Sequence, residues 1–138
     1  MIISKKYHFY AGHRNETLKD KCFNLHGHTY YITMDFDLDY NKDTGITILF
    51  SDIDLIVEPI IKQLDHSLLI HKQDPLLKYL DMFCEQEGVG LKLYLMDNLT
   101  SAENLSRHIF KKVVKKLPIV KILLKETTTS TVIYENSN

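Results

Sequence analysis

The clearest pattern of apolar and polar positions lies between Tyr30 and Asp39. Every second residue from Tyr30 to Leu38 is apolar, and the residues between them are mostly polar or acidic. Because side chains of a strand point to opposite faces in turn, this alternation predicts an antiparallel strand with one buried face. Weaker patterns predict further strands over residues 2–11, 91–96, 120–124 and 131–134, and a short extended segment over residues 46–50.

A different period follows, with apolar residues at helical spacing from Ile53 to Leu64. Ser51 or Asp52 is available as the N-cap of this first helix. Pro59 lies inside the pattern and is expected to kink the helix or to remove one hydrogen bond. The segment therefore predicts an amphipathic helix lying across the sheet.

Two further helices are predicted in the second half of the chain. Asp74 and Pro75 are typical of a cap and a first helical turn, and Gly88 ends the apolar stripe that follows them, which includes Cys84 as a packing residue. A capping box over residues 100–103 opens the last helix, which runs to residue 116. Its buried stripe is predicted to consist of Leu105, Ile109, Val113 and Leu117.

Together these elements predict a single α+β domain over residues 1–138, with an antiparallel sheet and two main helices on one face. Gly12 is expected to mark a turn or bulge after the first strand. The other face of the sheet has no cover within the chain. It is therefore either polar, and could line a tunnel, or buried by oligomerisation.

Composition narrows the possible functions. The chain has 138 residues, 44% of them hydrophobic, which is enough for one domain with a core. A net charge of −1 gives no electrostatic reason to expect nucleic acid or an anionic membrane as a partner. Two cysteines in different contexts, Cys22 and Cys84, and no long apolar run at the start of the sequence favour a reduced, cytoplasmic setting.

The most informative chemistry is the segment His26-Gly27-His28. Two histidines separated by one residue place both imidazoles on the same face of a strand. His13, at the end of the preceding strand, is the candidate third ligand if the two strands form a hairpin. Three histidines and one open position describe a catalytic zinc site. The alternative is a pair of surface strand histidines without a metal.

Several motifs together resemble the 6-pyruvoyl-tetrahydropterin synthase family. They cover nearly the whole chain in order. The matching residues are Phe9, Ala11 to Arg14, Cys22, Leu25 to His28, Tyr30, Leu64 to His66, Ser101 to Asn104, Glu126 and Thr127. The position of Cys22, four residues before His26, is similar to that in the 6-carboxy-tetrahydropterin synthase branch, which serves queuosine precursor synthesis. The resemblance implies the tunnelling fold, a trimer or a pair of stacked trimers whose sheets form a barrel, and active sites between subunits.

The resemblance also implies catalytic roles. Zn²⁺ would be held by His13, His26 and His28. Cys22 would act as the base, and a thiolate near zinc and Lys21 is expected to have a depressed pKa. Asp65 and His66 suit a proton relay in which the aspartate orients the imidazole. Cys22 could instead be inert, and His66 could be an ordinary residue at the end of a helix.

The substrate would be a pterin, and five residues are candidates to bind it. Glu126 matches the family carboxylate that accepts the paired N–H donors of the pterin ring, although it could be a plain turn residue. Thr127 follows it, and Lys21 lies beside the cysteine. Ser101 and Glu103 match positions that contact the pterin, but the capping box explains them equally well. The remaining histidines are interpreted as non-ligands: His8, His71 and His108.

Three departures from the family pattern bear on the substrate. Leu49 stands where an aspartate usually precedes the phenylalanine that opens the first helix, and Ile70 stands where asparagine is common. Residues 71–97 form an insert compared with compact bacterial members.

Three functions remain open. The first is a zinc lyase that converts 7,8-dihydroneopterin triphosphate to 6-carboxy-tetrahydropterin. The second is the sister activity, making pyruvoyl-tetrahydropterin or cleaving dihydroneopterin. The third is a non-catalytic protein that binds pterin or zinc.

Overall fold

Six strands and three α-helices make up the fold within residues 1–136, which the computed structural model describes. The strands are β1 (Ile2–His13), β2 (His26–Asp37), β3 (Ser67–His71), β4 (Leu93–Met96), β5 (Ile119–Lys125) and β6 (Thr131–Glu135). The helices are α1 (Phe50–Leu64), α2 (Leu77–Glu87) and α3 (Ala102–Val113), and a 3-10 turn spans Lys21–Phe23. These elements agree with the predicted α+β class.

The strands form one sheet in the order β4-β3-β1-β2-β5-β6. The four neighbouring strands β1, β2, β5 and β6 pair with one another in antiparallel orientation, as expected. β3 instead runs parallel to β1, which it meets at Ala11 and Gly12, and β4 runs parallel to β3. The sheet is therefore mixed, which corrects the expectation of a wholly antiparallel one. Residues 67–71 gave no period-two signal, because strands of a parallel pair need not alternate.

The core lies between one face of this sheet and the helices α1 and α3. The alternating apolar residues of β2 are buried as predicted, and Phe9 of β1 stacks on Tyr30 with ring centroids 5.0 Å apart. The predicted stripe of Leu105, Ile109, Val113 and Leu117 is buried, although α3 ends at Val113 rather than at residue 116 because the chain turns before Pro118. From α1 the buried residues are Ile53, Val57, Ile61 and Leu64. Burial of these stripes fixes the register of β1 and β2.

The other face of the sheet is uncovered in the single chain and carries polar side chains beside exposed apolar ones, among them Ile2 and Ile133. Asp35 is buried there among other strand side chains, where it accepts a hydrogen bond from Ser4 and pairs with Lys121 at 3.2 Å. Tyr31 of the same face is exposed. A buried carboxylate is tolerated at this position because it has both a donor and a positive charge beside it.

Several local predictions are corrected. β1 continues through Gly12 to His13, because Gly12 pairs directly with Gly27 of β2 rather than forming a turn. α1 begins at Phe50, so Leu49 is its N-cap and makes no side-chain hydrogen bond. The expected extended segment over residues 46–50 is reduced to one bridge, between residues 41 and 46. α1 continues through Pro59 as one helix.

Residues 71–97 form α2 and β4 at the edge of the sheet. Gly88 ends α2 in the left-handed conformation, as predicted. The predicted cap at Asp74 is wrong, because α2 begins at Leu77 with Leu76 as its N-cap; the Asp74 carboxylate instead accepts the N–H of Leu76 at 2.8 Å in a turn before the helix. No residue of α2 is fully buried in the single chain. The interpretation of Cys84 as a core residue is therefore wrong, because α2 lies outside the main core. None of the helices described is long and apolar enough to cross a membrane.

Candidate metal centre and active site

The three predicted histidine ligands come together at one end of the core. His13 lies directly opposite His26 in the β1–β2 register, and His28 lies two residues further along β2 on the same face. One ligand atom from each of the three imidazoles lies within 4.8 Å of the other two. The hairpin inferred from sequence therefore brings the three histidines together.

Two glycines allow the strands to meet closely at this point. Gly12 faces Gly27 across the β1–β2 ladder. A Cβ atom added to Gly27 would lie 3.2 Å from the carbonyl oxygen of Ala11, which is tighter than ordinary packing. The close approach fixes the spacing between His13 on one strand and His26 on the other.

Backbone carbonyls orient two of the imidazoles. Nδ1 of His13 lies 2.8 Å from the carbonyl oxygen of Thr100, and Nδ1 of His26 lies 2.7 Å from that of Asn24. A carbonyl oxygen only accepts hydrogen bonds, so Nδ1 carries the proton in both rings. Their Nε2 atoms keep the lone pair, which is the state that a metal ligand needs. The role of Thr100 could not be found from sequence, because the backbone supplies it.

The geometry fits a metal ion. Nε2 of His13 is buried without a hydrogen-bond partner. Oε1 of Glu126 lies 3.2 Å from it, but not in line for a hydrogen bond. A buried nitrogen without a partner is uncommon in proteins and calls for an unseen partner. Three neutral imidazoles around one point are a typical donor set for a transition metal, so these residues could hold one.

Glu126 lies beside the histidines, in the connection between β5 and β6. Its Oε1 is 3.2 Å from Nε2 of His13 and 3.4 Å from Nε2 of His28, and Tyr30 donates a hydrogen bond to it at 3.5 Å. Glu126 is therefore a carboxylate acceptor at the edge of the centre.

A cavity of about 490 Å³ opens onto the three histidines. It contains Cys22 and every residue predicted to bind substrate, together with three that sequence analysis did not single out. The predicted lining residues are Lys21, Ser101, Glu103, Glu126 and Thr127, and the additional ones are Asn15, Leu18 and Ala102. Leu18 and Ala102 are apolar and carried no chemical signal in the sequence.

Cys22 lies in the 3-10 turn beside this cavity. Its N–H donates to the carboxylate of Asp20 at 2.8 Å, and its carbonyl accepts the N–H of Asn15 at 2.8 Å. Desolvation, followed by Asp20, raises the pKa of the Cys22 thiol, and Lys21 offsets only part of this. The charge of Lys21 lowers the pKa of the thiol, but desolvation and the adjacent Asp20 outweigh it, so a depressed pKa would need the charge of zinc as well.

Ser101 caps α3, which half confirms the predicted capping box. Its hydroxyl accepts the N–H of Asn104 at 3.3 Å. The reciprocal contact is missing, because Asn104 occupies the position of the box acid and donates to the carbonyl of Leu99 instead. Glu103 therefore takes no part in the cap and faces the cavity.

Asp65 and His66 lie outside the cavity that contains Cys22 and the three histidines. Asp65 accepts the N–H of Tyr10 at 2.9 Å and bonds Nδ1 of His66 at 2.8 Å, while the N–H of His66 donates to the carbonyl of Tyr10. The His66 side chain is 74% exposed. It lies by a shallow depression beside Tyr10 and Thr29, a cross-strand pair on the face opposite the metal centre. The single chain therefore does not bring this pair to Cys22.

Two of the departures from the family pattern have clear structural consequences. Leu49 caps α1 without a hydrogen bond, so the first N–H groups of the helix lose the partner that an aspartate would provide. Ile70 is buried in β3 at 2% exposure, where an asparagine would need partners for its amide. Neither residue lines the histidine cavity.

Comparison with known proteins places the chain in a family. The family model of 6-pyruvoyl tetrahydropterin synthase matches residues 2–137. The curated 6-carboxy-5,6,7,8-tetrahydropterin synthase of Rickettsia conorii is 31% identical, covering 98% of this chain and 94% of the relative. The protein of the same name from Aquifex aeolicus is 27% identical, covering 96% of each.

Solved structures agree at the level of the fold. Caenorhabditis elegans 6-pyruvoyl tetrahydropterin synthase superposes with a TM-score of 0.70 at 19% identity, covering 99% of this chain and 96% of the other. An uncharacterised Wolinella succinogenes protein reaches a TM-score of 0.81 at 15% identity, covering 99% and 98%. The α+β tunnelling-type fold predicted for the single chain is thereby confirmed. Because the family model matches nearly its whole length, this chain belongs to the 6-pyruvoyl tetrahydropterin synthase family.

Proposed function

We propose that this protein is a zinc-dependent lyase that converts 7,8-dihydroneopterin triphosphate to 6-carboxy-5,6,7,8-tetrahydropterin, with release of acetaldehyde and triphosphate. Family membership and the names of the curated relatives support a lyase of the 6-carboxytetrahydropterin synthase type, as predicted from the residue motifs. The product would feed the synthesis of queuosine and other 7-deazaguanine compounds. The two free cysteines are compatible with the expected cytoplasmic setting.

The observation that carries the proposal is the shared cavity of three histidines and a cysteine. His13, His26 and His28 would hold Zn²⁺ through their Nε2 atoms, and Cys22 lies in the same cavity. When bound, zinc would polarise the side-chain hydroxyls of the substrate and lower their pKa. A protein that only binds pterin has no need for a thiol beside the metal, which makes that alternative the weakest of the three.

The chain's own residues supply the remaining chemistry. The thiolate of Cys22 would take a proton from a substrate carbon next to a hydroxyl group. The carboxylate of Glu126 would accept the paired N–H donors of the pterin ring, a contact that a charged acceptor makes well. Ser101, Glu103 and Thr127 would line the pterin pocket, and Lys21 would favour the anionic triphosphate. Loss of zinc would leave Nε2 of His13 without a partner.

A second copy of the chain would complete the site. In the single chain, Asp65 and His66 lie on the opposite face from Cys22, although the proposed reaction needs a proton relay beside it. Nδ1 of His66 is engaged by Asp65, so its Nε2 would exchange the proton. We propose that the exposed His66 of one copy enters the cavity of another.

Open strand edges support this assembly. Among the residues described, β1 meets β3 only at Ala11 and Gly12, so most of one β1 edge is unpaired, and β6 pairs only with β5. Joining the β1 edge of one copy to the β6 edge of the next would satisfy both and close a barrel. A trimer, or two stacked trimers, with the uncovered sheet face lining the tunnel is the assembly we propose. Residues 71–97 would remain an insert at its outer edge.

The direct test is product analysis by mass spectrometry of zinc-loaded protein incubated with 7,8-dihydroneopterin triphosphate. The proposal expects 6-carboxy-tetrahydropterin and acetaldehyde, and no turnover by Cys22→Ala, which should still bind zinc. Pyruvoyl-tetrahydropterin or a cleaved pterin would instead identify the sister activity. Zinc and pterin binding without any turnover would overturn the enzymatic proposal.

A further inference from the structure

Arg14 joins the metal-binding strand to the start of the 71–97 segment. Its Nε and Nη2 atoms donate to the two carboxylate oxygens of Asp74, at 2.8 Å and 2.6 Å. The Asp74 side chain is only 1% exposed. A buried, two-point pairing of this kind holds both planes in one orientation, because a guanidinium and a carboxylate match each other in shape.

The same guanidinium also contacts the loop that carries Cys22. It lies 4.7 Å from the ring centroid of Phe23, the residue that follows the cysteine. At the other end of the loop, the N–H of Asn15 donates to the carbonyl of Cys22 at 2.8 Å. The two ends of residues 14–23 are therefore tied together, with Arg14 between Phe23 and Asp74.

A second side-chain pair, Glu16 and His71, also joins the loop to the 71–97 segment, two residues after Arg14. Oε1 of Glu16 accepts from Nδ1 of His71 at 2.6 Å. The Glu16 side chain is 10% exposed, and its Oε2 is buried without a partner. The imidazole of His71 thus provides the hydrogen bond that this buried carboxylate makes. A buried carboxylate is costly, so this contact should hold the loop strongly.

Both connections arise from one short turn. The N–H of Asp74 donates to the carbonyl of His71 at 2.9 Å, and the Asp74 carboxylate also accepts the N–H of Leu76. The turn is therefore fixed internally before it contacts the loop. Residues 71–74 present an imidazole and a carboxylate to Glu16 and Arg14 as one unit.

We propose that the turn over residues 71–74 positions Cys22, by holding loop 14–23 through the Arg14–Asp74 and Glu16–His71 pairs. Glu16 and His71 are positioning residues, since neither lines the cavity. The inference rests on the proposed function only in taking Cys22 as the base. The start of the 71–97 segment would then support loop 14–23, which carries Cys22.

The sharpest test changes Glu16, because Glu16→Met removes the acceptor without leaving a buried charge, whereas Glu16→Gln keeps an acceptor oxygen of the same size. Both are made in zinc-loaded full-length protein carrying Cys84→Ala, so that Cys22 is the one thiol. For Glu16→Met we expect kcat to fall about tenfold, with KM little changed, because small misplacement of a catalytic group is costly. Alkylation of Cys22 by iodoacetamide should accelerate about threefold or more as the loop opens.

Glu16→Gln should restore both quantities to near the parent values. Lys72→Ala is the matched control, because it removes a neighbouring ion pair with Asp97 that is exposed and outside the proposed contacts. If Glu16→Met does not fold, His71→Leu removes the same hydrogen bond from the other side.

The inference is overturned if Glu16→Met changes only the melting temperature, with alkylation and kcat unaltered, or if Glu16→Gln is as impaired as Glu16→Met. Alkylation is measured without substrate. If the parent protein shows no turnover at all, the proposed function fails, while the alkylation rates still decide whether the turn positions Cys22.

Discussion

The histidine centre and the Asp65–His66 pair differ in how complete they are within one chain. The three histidines lie on two paired strands, two of them oriented by backbone carbonyls, and they share a cavity with Cys22. His66 is also oriented, by Asp65, but its side chain is mostly exposed on the opposite face of the sheet. The metal-binding half of the proposed site is thus preformed, whereas the relay half faces outward.

This difference has a consequence for function. A preformed histidine centre should bind metal in any state in which β1 and β2 are paired. Chemistry that needs Cys22 and His66 together should depend on assembly, because the single chain separates them. Metal binding and turnover should therefore respond differently to the same changes.

At the histidine centre, the change expected to matter most is His26→Ala. Loss of one of three ligands should lower zinc affinity by at least about a hundredfold, since changes even to outer contacts of metal ligands cost 10–100-fold. Zinc content after dialysis against a weak chelator measures this, with His8→Ala as the control. A variant that keeps full zinc content would show that His26 is not a ligand.

His66→Ala should distinguish the Asp65–His66 pair from the histidine centre, because it should affect turnover but not metal binding. We expect zinc content to be unchanged and kcat to fall about 10²–10⁴-fold, the usual contribution of a general acid or base. Steady-state kinetics together with metal analysis tests the expectation. Wild-type kcat in this variant would remove His66 from the proposed relay.

A smaller effect is expected at the start of α1, the helix that ends at Asp65. Leu49→Asp should supply the missing cap, because Leu49 has the extended backbone conformation of an N-cap. The expected gain is about 1 kcal/mol of stability, measured by thermal unfolding at fixed protein concentration. Leu49→Asn serves as an uncharged control. No gain from either variant would mean that the helix N-terminus is already satisfied.

The smallest effect is a pH dependence at Asp65. The N–H of Tyr10 holds the pKa of this carboxyl below its ordinary value of 3.8. A lowered folded-state pKa adds stability that is fully present above the unfolded value and is lost as the pH falls through the folded one. The stability advantage of the wild type over Asp65→Asn should therefore shrink below about pH 4. A difference that is constant from pH 7 to 3 would contradict this.

The sequence predicted the elements whose period is set by burial. β2 and α3 each bury one face, so alternation or helical spacing marked them clearly. β3 was missed because residues 67–71 form a short run with no period-two pattern, and its parallel partners β1 and β4 are distant in sequence. Such pairings depend on how α1 returns over the sheet, which local patterns do not encode.

The active site was likewise predicted only in part. The clustering of His13, His26 and His28 followed from period two and a hairpin. Their orientation did not, because the carbonyls of Thr100 and Asn24 carry no side-chain signal. The raised pKa of the Cys22 thiol comes first from desolvation in the folded loop and then from Asp20, and the neighbouring Lys21 gave no sign of either.

The most direct test of the shared site is to mix two inactive variants, Cys22→Ala and His66→Ala, by co-expression. If one copy supplies Cys22 and another supplies His66, random assembly should restore roughly a quarter of the sites, since half of the chains retain each residue. The account predicts activity near that fraction of wild type in the mixture and almost none in either variant alone. A mixture as inactive as its components, with wild type active and all proteins assembled, would contradict the proposal that the site is built from two copies.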